Sequence, residues 1–152
     1  MKLLTRILTL SILVSATLYF AACDKGENEK KSEKEQQIDK LVGTWTATVV
    51  EYGGDPDDEY DGFTITISKA SAEAMTFTTS GRPAKLTPWD ASGTFTFGTP
   101  VASKLIRGDG VEINYAVSGN NLTLTMENYS GSGYNGGRTE TVAGDWVFIL
   151  TK

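Results

Sequence analysis

The sequence predicts an all-β domain built as an eight-stranded antiparallel up-and-down barrel. Three observations predict it. Eight segments after Leu41 alternate apolar and polar residues, no stretch after Leu41 has helical periodicity, and all four prolines lie between the alternating segments. Alternation with period two is typical of half-buried strands, and proline belongs outside their ladders because it lacks the N–H donor. A two-sheet β-sandwich has the same strand pattern and stays the alternative fold.

The predicted strands carry aliphatic or aromatic side chains on one face and mostly threonine on the other. They are strands A to H, over residues 44–52, 62–68, 74–79, 93–97, 103–107, 111–117, 121–127 and 139–151. Strand A presents Trp45, Ala47 and Val49 to the core, and strand H has a kink at Gly144. The rings expected inside the barrel are Phe63, Phe77, Phe95, Phe97, Trp146 and Phe148. An eight-stranded interior is just large enough for such rings to fill it or to surround one small ligand.

The predicted connections differ in length between the two ends of the barrel. In an up-and-down barrel, every second connection lies at the same end. One end has three long connections and one short, over residues 53–61, 80–92, 128–138 and 108–110. The other end has only short connections, over residues 69–73, 98–102 and 118–120. Long loops gathered at one end of a rigid scaffold are typical of a binding mouth.

Three aromatic residues lie on the long loops without an alternating pattern that would bury them: Trp89, Tyr129 and Tyr134. Together with the inward Phe77 and Phe95, they are the candidate site for a small apolar or sugar-like ligand. Aromatic rings stack on sugars and line apolar pockets. The alternative is that the loop aromatics fold back over the barrel as a plug.

The connection over residues 53–61 is acidic. Clustered carboxylates suit a hard cation such as calcium, which makes Asp55, Asp57, Asp58 and Asp61 weak candidates for a metal site. Their spacing lacks the Asp-x-Asp-x-Asp-Gly pattern of helix–loop–helix calcium sites, so a solvated acidic loop is the favoured interpretation. We expect neither a metal nor a cofactor.

The composition excludes several classes of function. The chain has no histidine and a single cysteine, which removes Ser-His-Asp and Cys-His catalysis and histidine-based zinc sites. No pair of carboxylates is marked out as a glycosidase pair. The formal net charge is −5 and no basic cluster is present, so nucleic acid is not an expected partner. We expect a protein that is not an enzyme.

The N-terminus has the order of a secretory signal peptide, with a basic start, an apolar run over residues 7–20, and Ala21 and Ala22 before Cys23. A membrane-spanning helix needs about 20 residues, and the apolar run is shorter than that. Residues 20–23 resemble the lipobox of bacterial lipoproteins. The resemblance implies cleavage before Cys23, a diacylglyceryl group on its thiol and a palmitate-type acyl chain on its amine. Several acyl chains would make a stable anchor in the bilayer.

Residues 23–40 are predicted to be a solvated tether, because they are rich in Lys, Glu and Gln with almost no apolar residue. The spacing of Glu and Lys is compatible with a short helix there. The expected organisation is therefore a signal peptide over residues 1–22, a lipidated N-terminus and tether over 23–40, and a barrel over 41–152. Loss of Lys2 and Arg6 with the signal peptide leaves a mature side-chain charge of about −7.

Asp24 bears on the membrane to which the chain is sorted. An aspartate directly after the lipidated cysteine resembles the inner-membrane retention signal of enterobacterial lipoproteins. Acidic residues there also resemble the surface-export signal of Bacteroidota-type lipoproteins, and the Thr-, Gly- and Asn-rich body favours this second group. We therefore expect the outer membrane or cell surface, with the periplasmic face of the inner membrane as the alternative.

The start of strand A, Gly43-Thr44-Trp45, resembles the Gly-x-Trp opening of lipocalins and of lipocalin-like bacterial lipoproteins. The resemblance implies that Trp45 packs across the closed end of the barrel. The chain departs from the family in having no second lipocalin motif between strands F and G and no C-terminal helix. Arg138, in addition, lies at the wrong end of the predicted barrel to stack on Trp45.

Two functions follow from these expectations. The leading hypothesis is a membrane-anchored lipoprotein whose barrel binds a small apolar or sugar-like ligand at its long-loop end. The alternative is a non-catalytic structural or interaction lipoprotein, whose filled core supports contact with an envelope protein or polysaccharide. In both, the lipid bilayer is a partner through acylated Cys23.

Overall fold

The structure is a computed structural model that describes residues 30–135 and 138–152, with the backbone alone for 135, 138 and 139. Residues Lys31–Lys152 form one compact unit. The predicted signal peptide, the lipidated Cys23 and the sorting signal at Asp24 lie outside the described residues.

Nine antiparallel strands in one sheet make up the domain. They are β1 (Gly43–Tyr52), β2 (Asp55–Pro56), β3 (Thr64–Lys69), β4 (Ala74–Ser80), β5 (Ser92–Phe97), β6 (Lys104–Arg107), β7 (Glu112–Ser118), β8 (Asn121–Asn135) and β9 (Arg138–Thr151). The two-residue β2 pairs with the end of β1, and the other eight follow one another in sequence order. β1 also pairs with β9, from Thr46 opposite Thr151 to Tyr52 opposite Trp146. This closure confirms the predicted eight-stranded up-and-down barrel and excludes the two-sheet sandwich.

A β-bulge divides β1 into two halves that present different faces to the core. The register against β9 shifts between Ala47 and Val49, and the Thr48 hydroxyl donates to the Ile149 carbonyl at 3.0 Å. After the bulge, Val50 points inward with 5 % of its surface exposed, while Val49 is 39 % exposed. The prediction that Val49 faces the core is wrong, because one extra residue reverses the alternation beyond it.

β8 and β9 form a hairpin that is much longer than predicted. Their ladder continues past Met126 through a second bulge and runs from Tyr129 opposite Gly144 to Asn135 opposite Arg138. At this bulge, Asn128 has a φ of 50°, and its N–H donates to the Asp145 carboxylate at 2.6 Å. The predicted loop over residues 128–138 is therefore wrong: all but residues 136 and 137, which are not described, belong to strands.

The helix α1 (Glu33–Leu41) precedes the barrel. Ser32 begins it through a capping box with Glu35, in which each side chain accepts a hydrogen bond from the other residue's backbone N–H. Ile38 and Leu41 are 0 % exposed and belong to the core. A short helix is compatible with the sequence, and in the structure this helix packs on the barrel through Ile38 and Leu41 while Glu33, Asp39 and Lys40 are exposed. Its two apolar residues lie three apart, on one helix face that packs on the barrel.

We call the end of the barrel where β1 begins and α1 packs the helix end. The opposite end, where β1 finishes and the ladder of β8 and β9 extends, is called the hairpin end. Two ion pairs join α1 to the chain near the connection between β3 and β4: Lys34 to Glu73 at 3.1 Å and Lys69 to Glu35 at 3.8 Å. In the described part of the chain, no helix is long and apolar enough to cross a membrane.

Candidate functional site

Aromatic rings occupy the interior of the barrel. Phe77 and Phe95, two of the candidate ligand-binding residues, stack on each other with their centroids 4.5 Å apart, and both are buried. Phe63 and Phe148 lie 5.6 Å apart and are 0 % exposed. Phe97, which was also expected inside, is half-buried at the margin of the core. These side chains are in mutual contact and function as core.

Trp89 lies inside this cluster and not on an exposed loop. Its side chain is 0 % exposed, and its ring is edge-on to Phe77 at 5.6 Å and to Phe148 at 5.6 Å. It also contacts Phe63 and Phe95, both at 6.3 Å. Edge-to-face pairs at such distances are favourable packing. Of the two interpretations of the loop aromatics, the burial of Trp89 agrees with the inward plug.

The segment that carries Trp89, residues 81–91, is called the plug. It is held to three parts of the barrel. Thr87 exchanges two backbone hydrogen bonds with Tyr134 of β8, of 3.3 and 2.9 Å. The Tyr60 hydroxyl, on the other side, hydrogen-bonds to the Thr87 hydroxyl at 2.8 Å, and both groups are buried. In β4, the Thr79 hydroxyl donates to the Asp90 carbonyl at 2.7 Å. Such a set of bonds fixes the plug as part of the folded domain.

Arg107 is a buried cation next to the plug that the sequence analysis did not single out. It is 4 % exposed, and it donates to the Pro88 carbonyl through Nη1 at 2.6 Å. Its Nε and Nη2 form a two-point ion pair with Asp109, at 2.9 and 2.7 Å. The pair lowers the pKa of Asp109, chiefly through the hydrogen bond from Arg107. The sequence signal for this residue is its position on the same face as Leu105, two residues before an aspartate in a turn.

Tyr129 and Tyr134, predicted on a loop, belong to strand β8. Tyr129 is 4 % exposed; its hydroxyl donates to the Ser132 carbonyl at 2.6 Å and accepts from Arg107 at 3.3 Å. The Arg107 guanidinium lies 5.7 Å from the Tyr129 ring and 5.6 Å from the Trp89 ring. Tyr134 is half-buried and pairs with the plug through its backbone. The five candidate ligand-binding residues thus form parts of the core or of the plug's attachment.

Trp45 lies at the helix end and is 0 % exposed. Its indole N–H donates to the Leu41 carbonyl of α1 at 2.7 Å. The Lys152 ammonium lies 4.3 Å from the Trp45 ring, a cation–π contact, and it donates to the carbonyls of Lys40 and Val42 at 3.2 and 3.1 Å. Lys152, which directly follows β9, therefore covers Trp45, while Arg138 begins β9 at the other end.

The acidic connection contains β2 and a 3-10 turn, Asp58–Tyr60. Both carboxylate oxygens of Asp57 accept from Lys85 of the plug, at 2.8 and 2.7 Å, and Glu59 contacts the same ammonium at 3.5 Å. Among the described residues, no group of three or more metal-ligating side chains has the geometry to hold an ion. Asp57 thus serves to attach the plug.

Two open clefts lie on the outside of the barrel. One, of about 430 Å³, lies between β1 and the acidic connection and is lined by Ala47, Thr48, Val49, Val50, Pro56, Asp57, Asp58, Tyr60 and Asp61. The other, of about 320 Å³, is lined by residues 109–112 and 126–130. Volumes of about 300–1,000 Å³ are typical of ligand pockets, although these two are open to solvent.

Comparison of the chain with protein-family models, with curated proteins and with solved structures found no match.

Proposed function

We propose that this protein is a non-catalytic interaction lipoprotein of a bacterial envelope, anchored through acylated Cys23, whose filled barrel is a rigid scaffold for its outer surface. The burial of Trp89 is the observation that supports this function most directly. A ring that is 0 % exposed in a cluster of four phenylalanines leaves the proposed ligand residues engaged with one another. The functional contacts of such a barrel are then made by its exterior.

The proposed anchor agrees with the position of α1. Eight residues lie between Cys23 and Ser32, the N-cap of α1, and α1 packs at the helix end of the barrel. The lipid would therefore be attached at that end, and the acidic connection and the β8–β9 hairpin belong to the other. We place the protein at the outer membrane or cell surface of a Bacteroidota-type bacterium, with the periplasmic face of the inner membrane as the alternative.

Metabolic labelling tests the anchor. The full chain and its Cys23→Ser variant are expressed in the host with an alkyne-bearing palmitate analogue, and the label is measured in the membrane and soluble fractions. We expect label and membrane association for the natural chain, and neither for Cys23→Ser. An unlabelled natural chain would contradict lipidation, because Cys23 carries the only thiol.

A small ligand inside the barrel is the second candidate function. It is favoured by two buried indole N–H groups, of Trp89 and Trp146, which have no hydrogen-bond partner within the described residues. Both rings contact Phe148, at 5.6 and 6.2 Å. Buried donors normally have partners. A ligand with an acceptor atom near these rings would supply the hydrogen bond that the indole N–H groups lack.

Native mass spectrometry of the chain purified gently from its host distinguishes the two functions. The interaction function predicts the mass of the acylated chain alone. A stoichiometric additional small molecule would instead support the ligand function, provided that Phe77→Trp, which enlarges a ring inside the cluster, removes it. The unchanged retention of the molecule in Phe77→Trp would place it on the exterior.

A further inference from the structure

The barrel wall is interrupted on one side of β1. Its ladder with β3 ends at Thr46 opposite Thr64, and Ala47 N–H donates to the Phe63 carbonyl at 2.9 Å. The next backbone bond from the connection to β1 runs from Asp57 N–H to the Val50 carbonyl, at 2.8 Å. Between these two bonds the connection curls into the 3-10 turn. The cleft of about 430 Å³ lies in this interval, and we call it the β1 cleft.

The β1 cleft has an apolar part on the strand side. Ala47, Val49, Val50 and Pro56 line it. Val49, turned outward by the bulge, is 39 % exposed, and Pro56 is exposed as well. Covering this apolar surface with an apolar side chain of a partner would remove it from water, which is favourable.

The opposite part of the β1 cleft is negatively charged. Asp57, Asp58 and Asp61 line it, and Asp58 and Asp61 are exposed. Lys85 contacts Asp57 and Glu59, whereas Asp58 and Asp61 have no ion pair with any described residue. Lys85 also shows that an ammonium group fits beside these carboxylates, since its Nζ lies 2.8 and 2.7 Å from the two Asp57 oxygens.

We propose that the β1 cleft docks a basic segment of a protein partner in extended conformation, with an apolar side chain on Val49 and lysine or arginine side chains on Asp58 and Asp61. The inference deepens the interaction function proposed above and rests on it. Charge complementarity selects the occupant. The chain has a net charge of −5, so a second copy and any polyanion are disfavoured, and a cationic segment is attracted.

The two sides of the cleft determine that basic and apolar side chains should alternate along the partner segment. In an extended segment, successive side chains point to opposite faces, and residues i and i+2 share a face. A sequence that alternates lysine with valine therefore presents one apolar and one basic edge. The probe we choose is the nonapeptide Lys-Val-Lys-Val-Lys-Val-Lys-Val-Lys with a fluorescent label, and the control probe has glutamate in place of lysine.

The experiment measures the anisotropy of each labelled peptide with the full chain in detergent solution, at about 50 and 200 mM salt. We expect the basic peptide to bind and the acidic peptide not to bind. In Asp58→Asn/Asp61→Asn, the dissociation constant should rise about fivefold or more at low salt, because two exposed ion pairs are lost. The matched control, Glu33→Gln/Glu127→Gln, removes the same charge outside the cleft. It should change the dissociation constant of the basic peptide less than twofold.

Two further variants test the same cleft independently of any loss of folding. Lys85→Gln releases Asp57 and Glu59 from their internal cation, so binding of the basic peptide should become about two- to fivefold tighter. Val49→Ser leaves the charges intact and should weaken binding of the lysine–valine peptide but not of a lysine–glycine peptide. A gain of affinity in Lys85→Gln is the opposite of the result expected if the variant simply lost the folded cleft.

Three results would overturn the inference: no binding of the basic peptide, equal weakening in the cleft variant and the matched control, or no change in Lys85→Gln. Equal weakening would mean that the overall negative charge, and not the cleft, attracts the peptide. Failure of the proposed anchor is separable from all three, because the peptide assay is made in detergent and the palmitate labelling does not involve the cleft.

Discussion

Arg107 donates a hydrogen bond of 2.6 Å to the carbonyl of Pro88, so that a buried cation of the barrel wall holds the backbone of the plug. The same guanidinium binds Asp109 at two points and contacts the Tyr129 hydroxyl. One side chain thereby joins β6, β8 and the plug. We expect these parts to act as one folded unit.

Replacing Arg107 by Met should lower the free energy of unfolding by about 2–3 kcal/mol. The variant keeps the length of the side chain but removes the donors to Pro88 and Tyr129, and hydrogen bonds that involve a charged group are worth about 1.5–3 kcal/mol. Urea unfolding measures the loss. Arg82→Met is the control, because Arg82 is half-buried and makes a longer bond of 3.3 Å to the Trp89 carbonyl. A loss equal to that of the control would mean that Arg107 does not hold the plug.

Trp89→Ala should destabilise the domain by about 3–5 kcal/mol, the usual cost of removing a fully buried large ring. Trp89→Phe keeps part of the ring packing and should cost less than half as much. Indole added to Trp89→Ala should restore part of the melting temperature, since it fits the space that the side chain leaves. If Trp89→Ala unfolds at the same urea concentration as the natural chain, the ring does not belong to the core.

The stability of the domain should fall as the pH drops below about 4, in part through Asp109. Its carboxyl has a lower pKa in the folded protein than its ordinary value of 3.8, because Arg107 donates hydrogen bonds to it. A lowered folded pKa contributes stability that is present above 3.8 and is lost as the pH falls through the folded value. Asp109→Asn should therefore show a flatter dependence of the unfolding free energy between about pH 5 and pH 2. An unchanged slope would contradict the ion pair.

Ile38→Ala should cost about 2–5 kcal/mol, because Ile38 is 0 % exposed and α1 belongs to the core. The exposed side chain of Lys40 provides the control, and Lys40→Ala should change the unfolding free energy by less than about 0.5 kcal/mol. Both are measured by urea unfolding of the full chain. If Ile38→Ala matches the control, the helix is a tether and the barrel is stable without it.

The strands could be predicted because each half-buried strand repeats its pattern locally. Alternation found the barrel order and most strand bounds, such as Ala74–Ser80 against the predicted residues 74–79. It failed after Thr48, since a bulge reverses the inward face without any change in residue type, and Val49 remains a good strand residue on the outside.

The hairpin was missed for a different reason. Glycine-rich sequence is typical of loops, but Gly133 in β8 is required by close packing: a Cβ there would lie 2.2 Å from the Val142 side chain. Whether a glycine ends a strand or permits a close approach depends on the strand opposite it. The sequence of β8 alone does not contain that information.

The burial of Trp89 could not be derived from the local sequence for the same kind of reason. Trp89 follows two prolines and has no periodic neighbours, so nothing local indicates that it enters the barrel. Its burial depends on Phe63, Phe77, Phe95 and Phe148, which come from other strands. The β1 cleft likewise arises from the bulge together with the 3-10 turn, although its acidic residues were visible in the sequence.

The pairing of β1 with both β3 and β9 has a consequence for the order in which the chain can fold. During synthesis, β1 is made before the other strands, but its ladder with β9 cannot form until β9 has been made. Thr48 and its partner Ile149 are 101 residues apart in the sequence. Until then, β1 has an unsatisfied edge that can pair with other chains. Such a non-local closing step is slow compared with local contacts. The barrel of a nascent polypeptide with this topology therefore stays open until β9 has been made.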